Sequence, residues 1–496
     1  MGTWVLFENF DLKGLLLILA AFLLIVEYLK NKSSLNYPPG PFALPFLGNI
    51  FNMDSKQPHI YLTKLGKTYN NVFTLSIGRE KTVFVTGYKT VKEALVTKAE
   101  NFVDRPYSPI AVRVYSGNGG LFSSNGEMWK KQRRFALTTL RNFGLGKKTM
   151  ELAICEENRF LQNEMDRQKG MAFDPTGLFN NAVSNIICQL VFGQRFDYYD
   201  HDFQLMLSYI SEAVQLEGST WGRFYESFPA IMKHLPGRHN VIFRNYKLVS
   251  EFLRKNLIKH KTDLDPSNPR DYMDSFLIEK ENYHDPSEGF NEDNLVRCTL
   301  DLFVAGTETT STTLRWGLLY LIKHPDIQDK VQEEIDRVIG QSRQPSMADK
   351  ANMPYTEAVI HEILRRGDIV PLNGPRVASK DTTIGECIIP KGTTVVPVLH
   401  SVLFDENEWE TPSSFNPEHF LDKDGRFVRR DAFLPFSAGK RVCLGEQLAR
   451  MELFLFFVGL YQKFSFSTVE GTQLDTEGIA GITLTPRPFK IYANAR

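Results

Sequence analysis

Phe436-Ser-Ala-Gly439-Lys440-Arg441-Val442-Cys443-Leu444-Gly445-Glu446 sets one cysteine in a glycine-lined turn directly ahead of an apolar stretch with helical spacing, Gln447 to about Leu460. Cys443 is thereby expected near the positive end of a helix dipole, which favours thiolate over thiol. Gly439 and Gly445 permit positive φ and let backbone approach a flat macrocycle closely. Arg441, two residues before the sulfur, can reach a carboxylate at the edge of such a ring. A lone cysteine is ordinarily a buried structural residue. Here the surrounding residues read instead as a thiolate ligand for haem iron.

The pattern Phe-x-x-Gly-x-Arg-x-Cys-x-Gly resembles the haem-binding loop of the cytochrome P-450 family, with Phe436, Arg441 and Gly445 beside the ligand Cys443. Cysteine thiolate ligation is the axial choice of that family. The resemblance implies a mainly α fold, with a large helical domain, a smaller β-rich domain and an N-terminal membrane anchor. The implied cofactor is haem b, iron protoporphyrin IX.

Outward from this loop, the 496 residues contain no low-complexity linker within the main body, so one large catalytic unit is expected. Lysine plus arginine (58) equals aspartate plus glutamate (58), and no global charge points to nucleic acid as a partner. Cys155, Cys188, Cys298, Cys387 and Cys443 are odd in number, scattered and free of any CxxC pair. A reducing compartment fits better than a disulfide framework or a zinc site.

Gly14 to Val26 is continuously apolar or small and, with the flanking Trp4 to Leu29, approaches the ~20 residues needed to cross a bilayer, so residues 1–30 are expected to form a transmembrane anchor. Its start lacks the basic region of a cleaved signal peptide, and Lys30 and Lys32 place the following body on the cytosolic side. A buried or interfacial segment is the other reading, because Lys13 and Glu27 make the span marginal. Residues 31–48, with Tyr37-Pro38-Pro39-Gly40-Pro41, read as a stiff hinge, and 49–496 as the catalytic domain.

Alternation predicts strands at Val72–Ile77 and Thr82–Thr86, joined by a turn at Gly78-Arg79-Glu80. Further strands are expected from Ile384 to Val396 around a Pro390-Lys391-Gly392 turn, and at Ile482–Thr485 and Phe489–Tyr492. The clearest helix runs from about Asn291 to Lys323, where Pro325 stops it. Inside it, Ala305-Gly306-Thr307-Glu308-Thr309-Thr310 opposes helix propensity. In the packing reading these small residues admit a neighbouring helix. In the chemical reading Gly306 makes room over a ligand, Thr309 donates a hydrogen bond and Glu308 feeds it protons. The run is similar to the P-450 central-helix motif, which implies that Glu308 and Thr309 are the catalytic acid–alcohol pair that delivers protons during dioxygen cleavage.

Glu362 and Arg365 lie three apart on one helical face. They resemble the family's structural Glu-x-x-Arg element. Its third member is an arginine in a Pro-Glu-Arg-Phe segment, and Pro417-Glu418-His419-Phe420 carries His419 there, so that contact is expected to be weaker or pH-dependent. Trp129 and Arg133, four apart, share a face and suit a carboxylate. The resemblance implies that Trp129, Arg133 and Arg441 bind haem propionates, and that Arg105 and Arg376 share the role.

Lys130, Lys131, Arg134, Lys147, Lys148 and Lys440 are expected to form a positive face for an acidic electron donor, or else a merely solvated surface. The chain shows no dinucleotide fingerprint, since Gly117-Asn-Gly119-Gly120 is too incomplete. The resemblance implies NADPH-cytochrome P-450 reductase as donor of NADPH-derived electrons, with a cytochrome b-type protein in support. It extends over the whole chain and is nearest the vertebrate microsomal family-two enzymes. The segment Ile369–Arg376 is similar to the branch that epoxidises or hydroxylates arachidonic acid and other polyunsaturated fatty acids as well as xenobiotics. By resemblance, substrate meets the loop 109–122, Val214, Ala305, Ile369, Val370, Gly374, Ile482 and Thr483, and Phe228–Pro236 makes a second contact with membrane lipid. The implied place is the endoplasmic-reticulum membrane, with the catalytic domain facing the cytosol. Two other readings stay open: an oxygen-independent lipid-peroxide isomerase, and a non-catalytic haem sensor.

Overall fold

Alternating apolar residues become a hairpin of β1 (Val72–Ile77) and β2 (Glu80–Val85), in which Val72 pairs with Val85 and Ile77 with Glu80. The computed structural model describes residues 14, 18–19, 21–22, 36–44, 47–49, 54, 56–77, 80–115, 117 and 119–496. Gly78 and Arg79 of the expected turn lie outside them, and Glu80 belongs to β2. Parallel to β2 runs β4 (Thr394–Pro397), which pairs in turn with β3 (Arg376–Val377), giving the order β1-β2-β4-β3. The stretch expected as one hairpin from Ile384 to Val396 is divided between two sheets. Thr382–Ile384 and Cys387–Ile389 form their own ladder, and the Pro390-Lys391-Gly392 turn carries the chain over to β4.

Near the C-terminus β5 (Phe464–Thr468), which the alternation analysis missed, pairs with β6 (Ile491–Ala495). Of the expected Ile482–Thr485 strand only Leu484–Thr485 is paired, and the last strand begins at Ile491 rather than Phe489.

The body is helical. In chain order its main elements are α1 (Pro58–Thr68), α2 (Gly126–Asn142), α3 (Lys148–Asp166), α4 (Thr176–Phe192) and α5 (His201–Glu217). There follow α6 (His239–Asp263), α7 (Glu292–Lys323), α8 (Pro325–Val338), α9 (Pro354–Gly367) and α10 (Glu446–Lys463). Asn291 caps α7 by accepting from the Asn294 N–H at 2.9 Å, and Glu292 and Asp293 complement its dipole. Pro325 cannot continue α7 but suits the first turn of α8, so one residue ends a helix and starts the next. Apolar all round, α10 is buried along nearly its whole length, as such a helix must be. α7 packs against α4, α6, α9 and α10 at the centre of the largest apolar cluster.

The expected anchor, residues 1–30, lies outside the described residues except at Gly14, Ile18, Leu19, Ala21 and Phe22. Among the described residues no helix is long and apolar enough to cross a membrane. The proline-rich segment lies along β1, where the Pro39 carbonyl accepts from Thr74 N–H at 2.8 Å. A Cβ on Gly40 would stand 2.0 Å from the Thr74 oxygen, so only glycine permits this approach.

Candidate active site

The cysteine loop closes on itself through the Cys443 N–H, which donates to the Phe436 carbonyl at 3.0 Å. Ser437 (φ 64°) and Gly439 (φ 76°) make the turn in the left-handed region. Gly439 is also required by space, because a Cβ there would meet the Leu95 carbonyl oxygen at 1.8 Å. The expectation for Gly445 is corrected: its φ is −89°, so its role is closeness to the sulfur and not positive φ. α10 begins at Glu446, and the N–H groups of Gly445 and Glu446 together with Arg133 act to lower the Cys443 pKa. Burial outweighs them and raises the thiol above its ordinary value. The helix-end groups thus act in the direction the dipole argument expects, against the larger effect of burial. Among the five cysteines Cys443 alone is exposed, so its sulfur is open to a ligand.

Four arginines converge beside that loop. Arg441 is buried, stacks 3.9 Å above the Trp129 ring and donates to the carbonyls of Val103 (2.9 Å) and Ser124 (2.7 Å). Arg133 donates to the Val442 carbonyl at 2.6 Å. Arg105 donates to the Pro375 carbonyl at 2.8 Å. Arg376, 1% exposed, donates to the Gly374 carbonyl at 2.7 Å, while its second terminal nitrogen and the Trp129 Nε1 are buried with no acceptor among the described residues. Burial depresses Arg376 to about 10, and burial with repulsion from Arg376 and Arg133 depresses Arg441 to about 9. A buried cationic cluster with two orphaned donors calls for acidic oxygens. The carboxylates of a haem fit that donor set. Phe436, at the start of the cysteine loop, is half-buried under the Arg450 guanidinium at 4.9 Å. Trp129→Phe keeps the ring and removes the donor. A hydrogen bond to a charged acceptor contributes about 1.5–3 kcal/mol, so haem release, followed as transfer to excess apomyoglobin, is expected to accelerate about 10-fold or more.

Gly374, expected to meet substrate, makes room for Arg105 on its Cβ side: a Cβ there would stand 2.4 Å from that guanidinium. The expectation for Gly306 is corrected. Its missing Cβ is occupied by Ile187 of α4, 2.5 Å away, which is the packing reading and not an open ligand face. Thr307 turns to the same neighbour and bonds Ser184 at 3.0 Å. On the other side of α7, Ala305 is exposed and Thr309 half-buried, though both sit mid-helix in the body. The Thr309 hydroxyl donates to the Ala305 carbonyl at 2.7 Å. Glu308 does not bond Thr309 directly. Its carboxyl accepts from Ser211 of α5 at 3.2 Å, and burial raises its pKa. Val214 and Thr483 are buried, Ile369 is 8% exposed, Val370 is half-buried and Ile482 is exposed.

Glu362 and Arg365 are fully buried and joined in a two-point contact of 2.7 and 2.8 Å. Arg365 also donates to the carbonyls of Leu403, Pro412 and Ser414. His419 takes the third place. Its Nε2 accepts the Thr411 N–H at 3.2 Å, which leaves the proton on Nδ1 to reach Glu362 at 3.2 Å. The neutral ring thus completes the brace.

Asp301 on α7, which sequence reasoning missed, organises the loop above the site. It accepts from the Tyr115 hydroxyl and from the N–H groups of Leu121 (2.6 Å) and Phe122 (3.0 Å). Burial nevertheless raises it from 3.8 to about 6. The folded state therefore binds this proton more tightly than the unfolded state, and the stability it contributes is full below pH 3.8 and falls as pH rises through about 6. Asp301→Asn is expected to flatten the pH dependence of stability in that window and to speed amide exchange at Leu121 and Phe122.

The positive face is weaker than its count of cations suggests. Lys130 pairs with Glu127, Lys131 with Glu288, Lys148 with Glu151 and Lys440 with Glu100.

The family model described as Cytochrome P450 matches residues 38–493. The chain is 48% identical to cytochrome P450 2J5 of Mus musculus over 99% of its own length and 97% of that protein. It is 48% identical to cytochrome P450 2J2 of Homo sapiens (97% and 96% covered) and 49% to cytochrome P450 2J1 of Oryctolagus cuniculus (98% and 96%).

Proposed function

This chain belongs to the cytochrome P450 family, and we propose that it is a membrane-bound monooxygenase of lipophilic substrates, polyunsaturated fatty acids such as arachidonic acid above all, and also xenobiotics. The observation that carries the reading is the one exposed cysteine, Cys443, beside a buried arginine cluster with unserved donors. Cys443 would hold the iron, and Trp129, Arg133, Arg376, Arg441 and Arg105 the carboxylates of the ring. When bound, the haem supplies dioxygen activation, so that one oxygen atom enters a C–H or C=C bond and the other leaves as water.

The chain's own residues manage protons and exclude solvent. Burial keeps Glu308 protonated to higher pH than an exposed glutamate, which suits a proton reservoir. Thr309 presents a hydroxyl whose own proton is parked on the Ala305 carbonyl. A proton passing from Glu308 to Thr309 needs a water or a side-chain rotation, because Glu308 faces Ser211. The resemblance of Ile369, Val370, Ile482 and Thr483 to substrate-contact positions, and their mostly apolar character, support a lipophilic ligand.

The electron donor is an NADPH-dependent reductase of the endoplasmic-reticulum membrane, assisted by a cytochrome b-type protein. The paired lysines do not oppose this, since exposed ion pairs contribute only about 0.2–1 kcal/mol and exchange partners readily. Membrane attachment through residues 1–30, with a hinge at 31–48 and the catalytic domain at 49–496, accords with exposed Phe42, Leu44 and Leu47. A second contact at 228–236 accords with exposed Ile231 and Leu235.

The test is chiral mass spectrometry after incubation with reductase, NADPH and arachidonic acid. Epoxides or hydroxy acids that require NADPH are expected. Isomerised peroxides formed without NADPH would replace this reading with the peroxide isomerase. Thr309→Ala is expected to lower product per NADPH several-fold, the balance appearing as peroxide; fully coupled turnover would remove its proton role.

A further inference from the structure

Two clusters of histidine and acid lie away from the active site, and they differ in what they leave unsatisfied. In His260–Asp271–Asp274, both ring nitrogens of His260 are engaged, with the Asn256 carbonyl at 2.9 Å and Asp271 at 2.8 Å. Asp274 is held at two points by Arg270. That cluster is complete as it stands.

The other joins three segments remote in sequence: His59 on α1, Asp368 at the C-terminal end of α9, and His400 just after β4. One ligand atom from each lies within 4.8 Å of the others. His59 is 2% exposed, Asp368 1% and His400 9%. Only one contact serves the group internally, His400 Nδ1 to Asp368 at 2.6 Å. His59 Nδ1 and Asp368 Oδ1 are buried with no hydrogen-bond partner among the described residues. The two imidazoles meet edge to face at 4.7 Å, so neither serves the other. Asp368 also holds a left-handed backbone (φ 43°), a conformation that a non-glycine residue keeps only where its surroundings enforce it. A buried carboxylate with one oxygen unserved, beside a buried imidazole with one nitrogen unserved, is costly unless a cation joins them.

We propose that His59, Asp368 and His400 form a structural binding site for a divalent zinc ion, with water as the fourth ligand. Two imidazole nitrogens and one carboxylate oxygen are a regular zinc donor set. With bonds of about 2.0–2.2 Å, ligand atoms on a tetrahedral ion stand about 3.3 Å apart. The atoms farthest apart therefore need to close by up to about 1.5 Å, and His400 and Asp368, now 2.6 Å apart, to open slightly, both within the reach of small side-chain rotations. The ion would tie α1 to the turn after α9, which leads directly into Ile369 and Val370. Ile369 in turn accepts from the Leu484 N–H at 2.9 Å. Bound zinc would thus stiffen a wall of the proposed substrate pocket from outside it.

The full-length haem-loaded protein, stripped with a chelator, is dialysed to equilibrium against Zn²⁺, and zinc and haem are counted by mass spectrometry. One tightly held zinc per chain is expected. Asp368→Asn, His59→Gln and His400→Gln are each expected to weaken binding by at least about 100-fold, since loss of an outer-shell partner alone costs 10–100-fold. The exposed His201→Gln should leave binding unchanged. Zinc should also raise the unfolding temperature of the parent and not of the three variants. Haem content reports whether each variant is folded, and with three variants the result does not depend on any one. Failure of the parent to retain zinc, or equal retention by all variants, overturns the site.

Discussion

Cys443→Ser is expected to lower turnover to background, by more than about 10³-fold, equivalent to over 4 kcal/mol of barrier. The reduced carbon-monoxide complex is expected to lose its thiolate-type spectrum while the fold remains. The reason is electronic and local. A hydroxyl of similar size preserves the Phe436–Cys443 loop closure, which uses backbone groups, but cannot supply the electron density of a thiolate. The fold is expected to survive because Cys443 is exposed and is not one of the buried core residues, as Leu448 and Met451 of α10 are. Unchanged turnover with an intact thiolate-type spectrum would remove Cys443 from the site.

Arg365→Ala is expected to have the largest effect on stability, about 3–5 kcal/mol, because it strands a fully buried Glu362 carboxylate. The same change deprives the Leu403, Pro412 and Ser414 carbonyls of their donor. Against a total of about 5–15 kcal/mol, such a loss lowers both soluble yield and haem retention. Denaturant unfolding of the haem-loaded protein measures it. Arg365→Lys should recover part of the loss, since an ammonium keeps the charge but cannot make the two-point contact or reach three carbonyls at once. Equal stability of parent and alanine variant would mean that the brace carries no energy. His419→Ala is a milder relative of this change: it removes one donor from Glu362, while Asn416 N–H still serves it at 2.8 Å.

The parts legible in sequence are those whose chemistry is complete within one or two turns of chain. Cys443 with Gly439 and Arg441, Glu362 with Arg365, and Trp129 with Arg133 each sit close enough in sequence for spacing to report proximity. Asn291 and Pro325 mark the ends of α7 for the same reason. β5 went unseen because Phe464–Thr468 follows α10 without an intervening turn residue, so its alternation merges with the helix.

Where the outcome depended on what approaches from elsewhere, sequence pointed the wrong way or nowhere. Gly306 suggests space for a ligand, yet Ile187 fills it. Glu308 and Thr309 are neighbours in sequence, but a helix turns about 100° per residue, so one faces Ser211 and the other the Ala305 side of α7. Asp301 acquires its loop, and Lys131 and Lys440 their remote acidic partners Glu288 and Glu100, only on folding.

By itself the sequence determined the mainly α P-450 fold, the cysteine loop, the buried ion pair and the central helix with its polar insert, since each is written in local spacing and residue chemistry. The tertiary structure alone decided which side chains lose water together: the convergence of Arg105, Arg133, Arg376 and Arg441, the neutral state of His419 against Glu362, and the meeting of His59, Asp368 and His400. Desolvation is a property of the assembled neighbourhood, and its cost sets protonation, pairing and ligand demand at positions that no interval along the chain connects.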